Sequence, residues 1–134
     1  MTNQESAPIN NDADIVAARQ IGRRLATEAG FSGSELTLIA TAISEIARNI
    51  VVYAGHGEMT MEVMDRDGRR GVQVVARDQG PGIPDVELAM RDGFSTGRSL
   101  GLGLPGARRL MDEFEIVSAP GKGTTVTMRK WVIR

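Results

Sequence analysis

Glu45 and Asn49 stand four residues apart in the stretch Ser44-Glu45-Ile46-Ala47-Arg48-Asn49-Ile50. Four residues make about one helical turn, so on a helix the carboxylate and the carboxamide project side by side, roughly 6 Å apart along the axis. An asparagine offers a neutral oxygen suited to Mg²⁺, and a glutamate beside a Mg²⁺-bound phosphate can orient or deprotonate an attacking hydroxyl. Further along, Asp78-Gln79-Gly80-Pro81-Gly82 ends a strand-like run and enters a loop. A carboxylate there can accept a hydrogen bond from an exocyclic amine, and the two glycines let the backbone close on a flat ring. Gly101-Leu102-Gly103-Leu104-Pro105-Gly106 then supplies successive backbone N–H groups in a glycine loop that opens a helix, the makings of an anion cradle. Each piece alone has an ordinary explanation, a solvated helix face or a turn after a strand. Their joint occurrence is the signal.

The familiar glycine motifs do not account for it. A dinucleotide-binding G-x-G-x-x-G needs a strand immediately before it, whereas Ser95-Thr96-Gly97-Arg98-Ser99 is loop. No V-A-I-K, H-R-D or D-F-G element of a eukaryotic-type kinase is present. Gly121-Lys122-Gly123-Thr124 resembles the end of a P-loop, but Gly123 separates the lysine from the threonine and Ile116 stands where the first glycine belongs.

Three helices and two hairpins must hold these residues. Ile15, Val16, Ala18, Ile21, Leu25, Ala26 and Ala29 form an apolar stripe that ends at Gly30, with Asp12 or Asp14 as its cap. Ser32-Gly33-Ser34-Glu35 matches a capping box and opens the central helix. There Leu36, Ile39, Ala40, Ile43, Ile46, Ala47 and Ile50 make the core stripe, with Glu45 and Asn49 off it; the helix breaks at Gly55-His56-Gly57. Glu58 to Met64 and Gly71 to Arg77 alternate as a hairpin across the charged turn 65–70. Seven of the sixteen glycines then fall between Asp78 and Gly106, which implies a ligand-hugging connection with one helical turn at Val86 to Arg91. Pro105 suits the first turn of a helix running to about Asp112, with Leu104, Ala107, Leu110 and Met111 inward. Glu113 to Ala119 and Thr124 to Trp131 close the chain as a second hairpin. Residues 1–12 are a polar N-terminal segment in which Ala7 to Ile9 can pair as an edge strand.

The 134 residues suit one domain with a single core. Sixteen basic and seventeen acidic side chains give no global pull toward nucleic acid or an anionic membrane. Without cysteine there is no disulfide, thiolate metal site or cysteine nucleophile. The polar start lacks a signal-peptide pattern, and no run approaches 18 apolar residues, so a soluble, cytoplasmic protein is expected. His56, in a glycine turn, is expected at the surface.

Glu45-x-x-x-Asn49, Asp78-x-Gly80-x-Gly82, Gly101-x-Gly103-Leu104 and Gly123-Thr124-Thr125, in that order on helix, strand end, lid and strand, resemble the N, G1, G2 and G3 boxes of the GHKL ATPases. The resemblance spans about residues 13 to 132 and is strongest to the small bacterial serine kinases of the anti-sigma and stress-signalling group. The runs 14–20, 78–85, Asp92-Gly93-Phe94-Ser95-Thr96 and Arg109-Leu110-Met111-Asp112-Glu113-Phe114 also carry it. It implies an α+β fold, a two-layer α/β sandwich of the Bergerat type with a mixed, mostly antiparallel sheet, a single domain over 1–134 and an ATP lid over 83–103. It implies ATP and Mg²⁺ as ligands, with Asn49 holding the metal, Asp78 accepting the adenine amine, and Gly80 and Gly82 beneath the purine. Gly101, Leu102, Gly103 and Leu104 would lie at the phosphates, and Thr124 or Thr125 would support the adenine pocket. Glu45 would be the base toward an incoming serine hydroxyl, and Arg48 would either hold phosphate or pair with Glu45. The implied partners are a STAS-domain antagonist as substrate and scaffold within a stressosome-type assembly and, after release, a PP2C-type phosphatase that the kinase activates. An anti-sigma factor, a stoichiometric module whose nucleotide sets its affinity for a sigma factor, is the alternative.

Overall fold

The computed structural model describes residues 4–82 and 103–132. The turn expected at Val86 to Arg91, Gly101, Leu102 and all of the expected lid but its last residue lie outside the described residues. In chain order the elements are β1 (Gln4–Ile9), α1 (Asp12–Ala29), α2 (Ser34–Asn49), a π-helical turn (Ile50–Ala54), β2 (Gly57–Arg66), β3 (Arg69–Asp78), α3 (Gly103–Leu110), β4 (Glu113–Ser118) and β5 (Thr124–Trp131).

Local chemistry sets most of these boundaries. Asn11 caps α1, its Oδ1 accepting the Asp14 N–H at 2.9 Å, while Asp14 Oδ2 accepts the Asn10 N–H at 2.8 Å. The cap expected at Asp12 or Asp14 therefore belongs to Asn11, whose backbone is extended, and the two aspartates complement the positive helix end instead. Gly30 closes α1 at φ 110°. No capping box forms at α2: Gly33, at φ 59°, takes the cap position and has no side chain to accept the first N–H groups. The first hairpin is tighter than its charged sequence suggests. Arg66 pairs with Arg69, leaving Asp67 (φ 54°) and Gly68 (φ 79°) as a two-residue turn with both residues left-handed, the geometry that matches strand twist.

The strand order is β1-β2-β3-β5-β4. All four pairings are antiparallel, so the mixed sheet of the expectation is antiparallel throughout the described residues. The reason is topological: β1 and β2 are joined by a pair of helices rather than one crossover helix, and the chain re-enters the sheet in the opposite direction.

Period-2 alternation puts Met59, Met61, Val72, Val74, Ala76, Val126 and Met128 on one face of the sheet, where they are buried beneath Leu25, Ile39, Ile43 and Ile46. Val16, assigned to the core stripe of α1, is 43% exposed. Gly22 is buried in the helix instead, because α1 crosses α2 there so closely that a Cβ would lie 2.1 Å from Ile43 Cδ1. The α2 stretch from Ser34 to Ala54 is long and apolar enough to cross a membrane by length and composition. Its isoleucines are spent on the core, and α2 packs against α1, α3 and β3. Arg70, on the helix-facing side of β3, donates to the Glu28 carbonyl at 3.4 Å, bringing a cation to the C-terminal end of α1, whose last turn has none of its own. On the outer face, Trp131 is buried beneath the guanidinium groups of Arg66 and Arg69, 4.7 and 5.4 Å from its ring centre.

Candidate functional site

Glu45 and Asn49 occupy successive turns at the C-terminal end of α2. Glu45 is 6% exposed and is the buried charged side chain among the described residues. The sequence places it off the apolar stripe; the difference arises because α2 is enclosed on more than one side. Burying a carboxylate costs several kcal/mol unless it is well partnered, which sets Glu45 apart from the apolar side chains that line the rest of the buried face of α2. Asn49 is half-buried and is the last residue before the π-helical turn. In that turn the Gly55 N–H donates to the Ile50 carbonyl five residues back, at 2.8 Å, and Gly55 (φ 86°) releases the chain where a break was expected. His56 follows, exposed as expected.

The wide turn lies on the end of the sheet that carries Asp78. Cross-strand pairing aligns Ile9 with Gly57, Gly57 with Asp78, Asp78 with Thr124, and Thr124 with Ser118. Directly opposed residues share a face, so this row crosses all five strands on the helix-facing side. Ile50 packs on Gly57, where a Cβ would lie 2.8 Å from Ile50 Cγ2. Thr125 opposes Arg77 and therefore points from the outer face. Of the two threonines singled out in the sequence, only Thr124 shares a face with Asp78.

Asp78 is oriented by its own loop: Oδ1 accepts the Gly80 N–H at 2.9 Å. A carboxylate has about four lone-pair sites, so this bond leaves ample accepting capacity for an amine. Beside it, Ser118 Oγ donates to the Gly123 carbonyl at 3.1 Å and lies 2.7 Å from Thr124 Oγ1. If the serine proton goes to Gly123, Thr124 donates in that pair and its hydroxyl oxygen keeps accepting capacity.

The loop after Asp78 is gripped from both sides. A Cβ on Gly80 would lie 2.6 Å from Ala54 Cβ, and one on Gly82 (φ 80°) 2.0 Å from the Ala119 carbonyl oxygen. A Cβ on Gly123 (φ 75°) would lie 2.2 Å from the Asp78 carbonyl oxygen. Gly121 N–H donates to the Pro81 carbonyl at 2.8 Å, so the β4–β5 loop is hydrogen-bonded to the Asp78 loop. Ala54, Ser118 and Ala119 were not among the sequence candidates. Ser118 carries a signal only once the register opposite Thr124 is known, and the two alanines carry none.

Gly103 opens α3, which packs on α2. Leu104, a candidate ligand contact, has its side chain in the core at 8% exposure, so its backbone N–H is the part that remains for an anion. Gly101 and Leu102 lie outside the described residues. Among the described residues no group of three or more His, Asp or Glu side chains could hold a metal ion. One asparagine oxygen with no protein cage is the donor set of a Mg²⁺ that arrives on nucleotide phosphates, and Asn49 fits that arrangement.

Comparison with known proteins points the same way. The family described as histidine kinase-like ATPase domain matches residues 9–130. The chain is 50% identical over 132 residues to the serine/threonine-protein kinase RsbT of Bacillus subtilis, covering 98% of this chain and 99% of that protein. It is 34% identical over 123 residues to an anti-sigma F factor of Caldanaerobacter subterraneus, covering 87% and 85%. An anti-sigma F factor of Geobacillus stearothermophilus is 36% identical over 103 residues, covering 72% and 69%. Because the family match runs from the end of β1 to within one residue of the end of β5, and the identity extends along 98% of the chain, this chain belongs to the histidine kinase-like ATPase domain family.

Proposed function

We propose that the protein is a serine/threonine-protein kinase that moves the γ-phosphoryl group of ATP to a serine hydroxyl of a regulatory partner protein. The observation that carries this reading is the 50% identity to a serine/threonine-protein kinase along essentially the whole of both chains. The site supports it: Asp78 and Thr124 offer acceptors at the end of the sheet, and the Glu45/Asn49 pair stands on the helix that the π turn joins to that end.

In this reading Asp78 accepts from the adenine amine, with Thr124 beside it on the same face. Gly80 and Gly82 shape the floor of the base site, and Gly101, Leu102, Gly103 and the backbone of Leu104 lie toward the phosphates. Asn49 would hold Mg²⁺ through its side-chain oxygen, and the ion would supply neutralisation of phosphate charge. Glu45 hydrogen-bonds the serine hydroxyl and takes its proton as the serine oxygen bonds to the γ-phosphorus and the bond to the β–γ bridging oxygen breaks. The burial of Glu45, at 6% exposure on a helix packed against α1, α3 and β3, restricts its orientation for that transfer.

The finer reading follows the stress-signalling resemblance: the acceptor is a serine of a STAS-domain antagonist within a stressosome-type assembly in the cytoplasm. Phosphorylation releases the kinase to bind and activate a PP2C-type phosphatase. The anti-sigma F relatives favour a second reading, a nucleotide-gated module that sequesters a sigma factor. Labelled Mg-ATP incubated with a STAS protein encoded beside this one separates the two. Serine phosphorylation by wild type, lost in Asn49→Ala, is the expected result; nucleotide binding without transfer, together with co-purification of a sigma factor, would favour the second reading.

A further inference from the structure

Gly80 follows Asp78 by two residues in a motif whose glycines, on the nucleotide reading, let the backbone close on a flat ring. Its surroundings point elsewhere. Gly80 has no left-handed backbone, unlike Gly82 at φ 80° and Gly123 at φ 75°, so its conformation is open to any residue. What excludes a side chain is a neighbour. A Cβ on Gly80 would stand 2.6 Å from Ala54 Cβ and 3.0 Å from Ala54 Cα, with Asp78 Oδ1 at 3.1 Å. Ala54 is the last residue of the π-helical turn, and Ile50, its first, is pressed on Gly57, the cross-strand partner of Asp78. The turn that continues directly from Asn49 therefore bears on both sides of Asp78, through Ile50 on Gly57 and through Ala54 on Gly80.

We infer that Ala54 is a positioning residue for the nucleotide. It touches no ligand; through its contact with Gly80 it sets where the Gly80 N–H holds Asp78 Oδ1, and so fixes the Asp78 carboxylate relative to Asn49 across the π turn. Asn49 and Asp78 come from different layers of the fold, and the five residues of the turn are the covalent path from the first toward β2. A wide turn suits this task, because one extra residue per hydrogen-bonded ring spreads residues 50 and 54 far enough to reach two strands' ends at once. The requirement at Gly80 is then a requirement for a small pair, and it can be met from either side of the contact.

This inference rests on the nucleotide reading above, and its test keeps the two apart. Binding of a fluorescent ADP analogue is measured for wild type, Gly80→Ala, Ala54→Leu, Ala54→Gly and the Ala54→Gly/Gly80→Ala pair, with thermal melts of each in the absence of nucleotide. Gly80→Ala and Ala54→Leu are expected to weaken binding at least tenfold, and Ala54→Gly by less than threefold. The double variant should recover most of the affinity that Gly80→Ala loses, since removing the Ala54 methyl relieves the shortest contact and leaves those at 3.0 and 3.1 Å to be met by shifts of a few tenths of an ångström. If Gly80→Ala alone is too unstable to purify, a folded and binding-competent double variant supports the inference equally. A double variant no better than Gly80→Ala, in affinity or in melting temperature, would overturn it and return Gly80 to direct contact with the base. Wild type that fails to bind the analogue would instead sink the nucleotide reading itself, while the melts would still report whether residues 54 and 80 compensate each other.

Discussion

At the scale of single residues, roles within the site separate by what each change should leave intact. Glu45→Gln keeps the shape and one acceptor oxygen, replaces the other by an NH2 donor, and cannot accept the serine proton. It is expected to slow single-turnover transfer by about 10²–10⁴-fold while nucleotide affinity stays within a few-fold of wild type. Asn49→Ala should instead lose Mg-ATP binding and transfer together. Transfer by Glu45→Gln at the wild-type rate would remove Glu45 from the chemistry. A second pair of changes follows from strand register. Thr124 shares the helix-facing side with Asp78, whereas Thr125 points from the other face. Thr124→Val should therefore weaken nucleotide binding about threefold to tenfold, the worth of one neutral hydrogen bond with some desolvation. Thr125→Val should leave it unchanged; equal losses in the two variants, measured by calorimetry with ADP, would show that the face assignment does not govern binding. The sequence motifs carried Glu45, Asn49, Asp78 and the glycines because their residue types and order are chemically distinctive. Motif order alone could not choose between the threonines, since that choice depends on which strands pair and in what register. Nor could it foresee the burial of Glu45, which depends on how many neighbours enclose one helix.

At the scale of elements, periodicity found the helices and strands, and the errors fall at their ends. There competition among adjacent polar residues decides the outcome. Asn10, Asn11, Asp12 and Asp14 all have oxygens able to cap α1, and Asn11 takes the role because its backbone is extended while its Oδ1 reaches the Asp14 N–H. Asn11→Ala is expected to cost about 1 kcal/mol of stability in urea unfolding, and Asn11→Asp to retain most of it. An Asn11→Ala protein as stable as wild type would place the cap elsewhere. The hairpin between β2 and β3 was legible as a hairpin from its alternation, and Asp67-Gly68 is the dipeptide that fits its turn. The charged residues on either side obscured how far the ladder runs, because Arg66 and Arg69 continue the pairing up to the turn. The π-helical turn had no sequence signature at all. Ile50, Val51 and Val52 continue the apolar pattern of α2, whereas the packing of Ile50 on Gly57 and of Ala54 on Gly80 that accompanies the wider ring involves residues distant in sequence.

At the scale of the molecule, helices cover one face of the sheet and the other is tied by side chains. Across that outer face Gln73 donates to Glu62 at 2.9 Å, Arg129 Nε donates to Gln73 at 2.7 Å, and Arg129 Nη1 reaches Glu113 at 3.1 Å. Glu113 also accepts the Trp131 indole N–H at 2.6 Å and pairs with Arg66 at 3.1 Å. The indole hydrogen bond is the largest influence on the Glu113 carboxyl; desolvation opposes it, and the Arg129 hydrogen bond with the charges of Arg66 and Arg129 adds to it, so the carboxyl is held below the ordinary glutamate range. A carboxylate whose pKa is lowered on folding contributes stability that is fully present above its unfolded pKa and is lost as pH falls through the folded one. Wild type should therefore have a higher urea midpoint than Glu113→Gln at neutral pH, and the gap should close as pH falls below the ordinary glutamate pKa. Parallel midpoints across that range would show that the lowered pKa contributes nothing to folding. Glu113 begins β4 and Ser118, in the row with Asp78, ends it, so about 17 Å of strand separates this network from the site. The network also lies on the opposite face of the sheet. Glu113→Gln should accordingly shift stability without shifting ADP affinity at neutral pH, whereas Gly80→Ala and Ala54→Leu should move affinity far more than their effect on stability alone would explain.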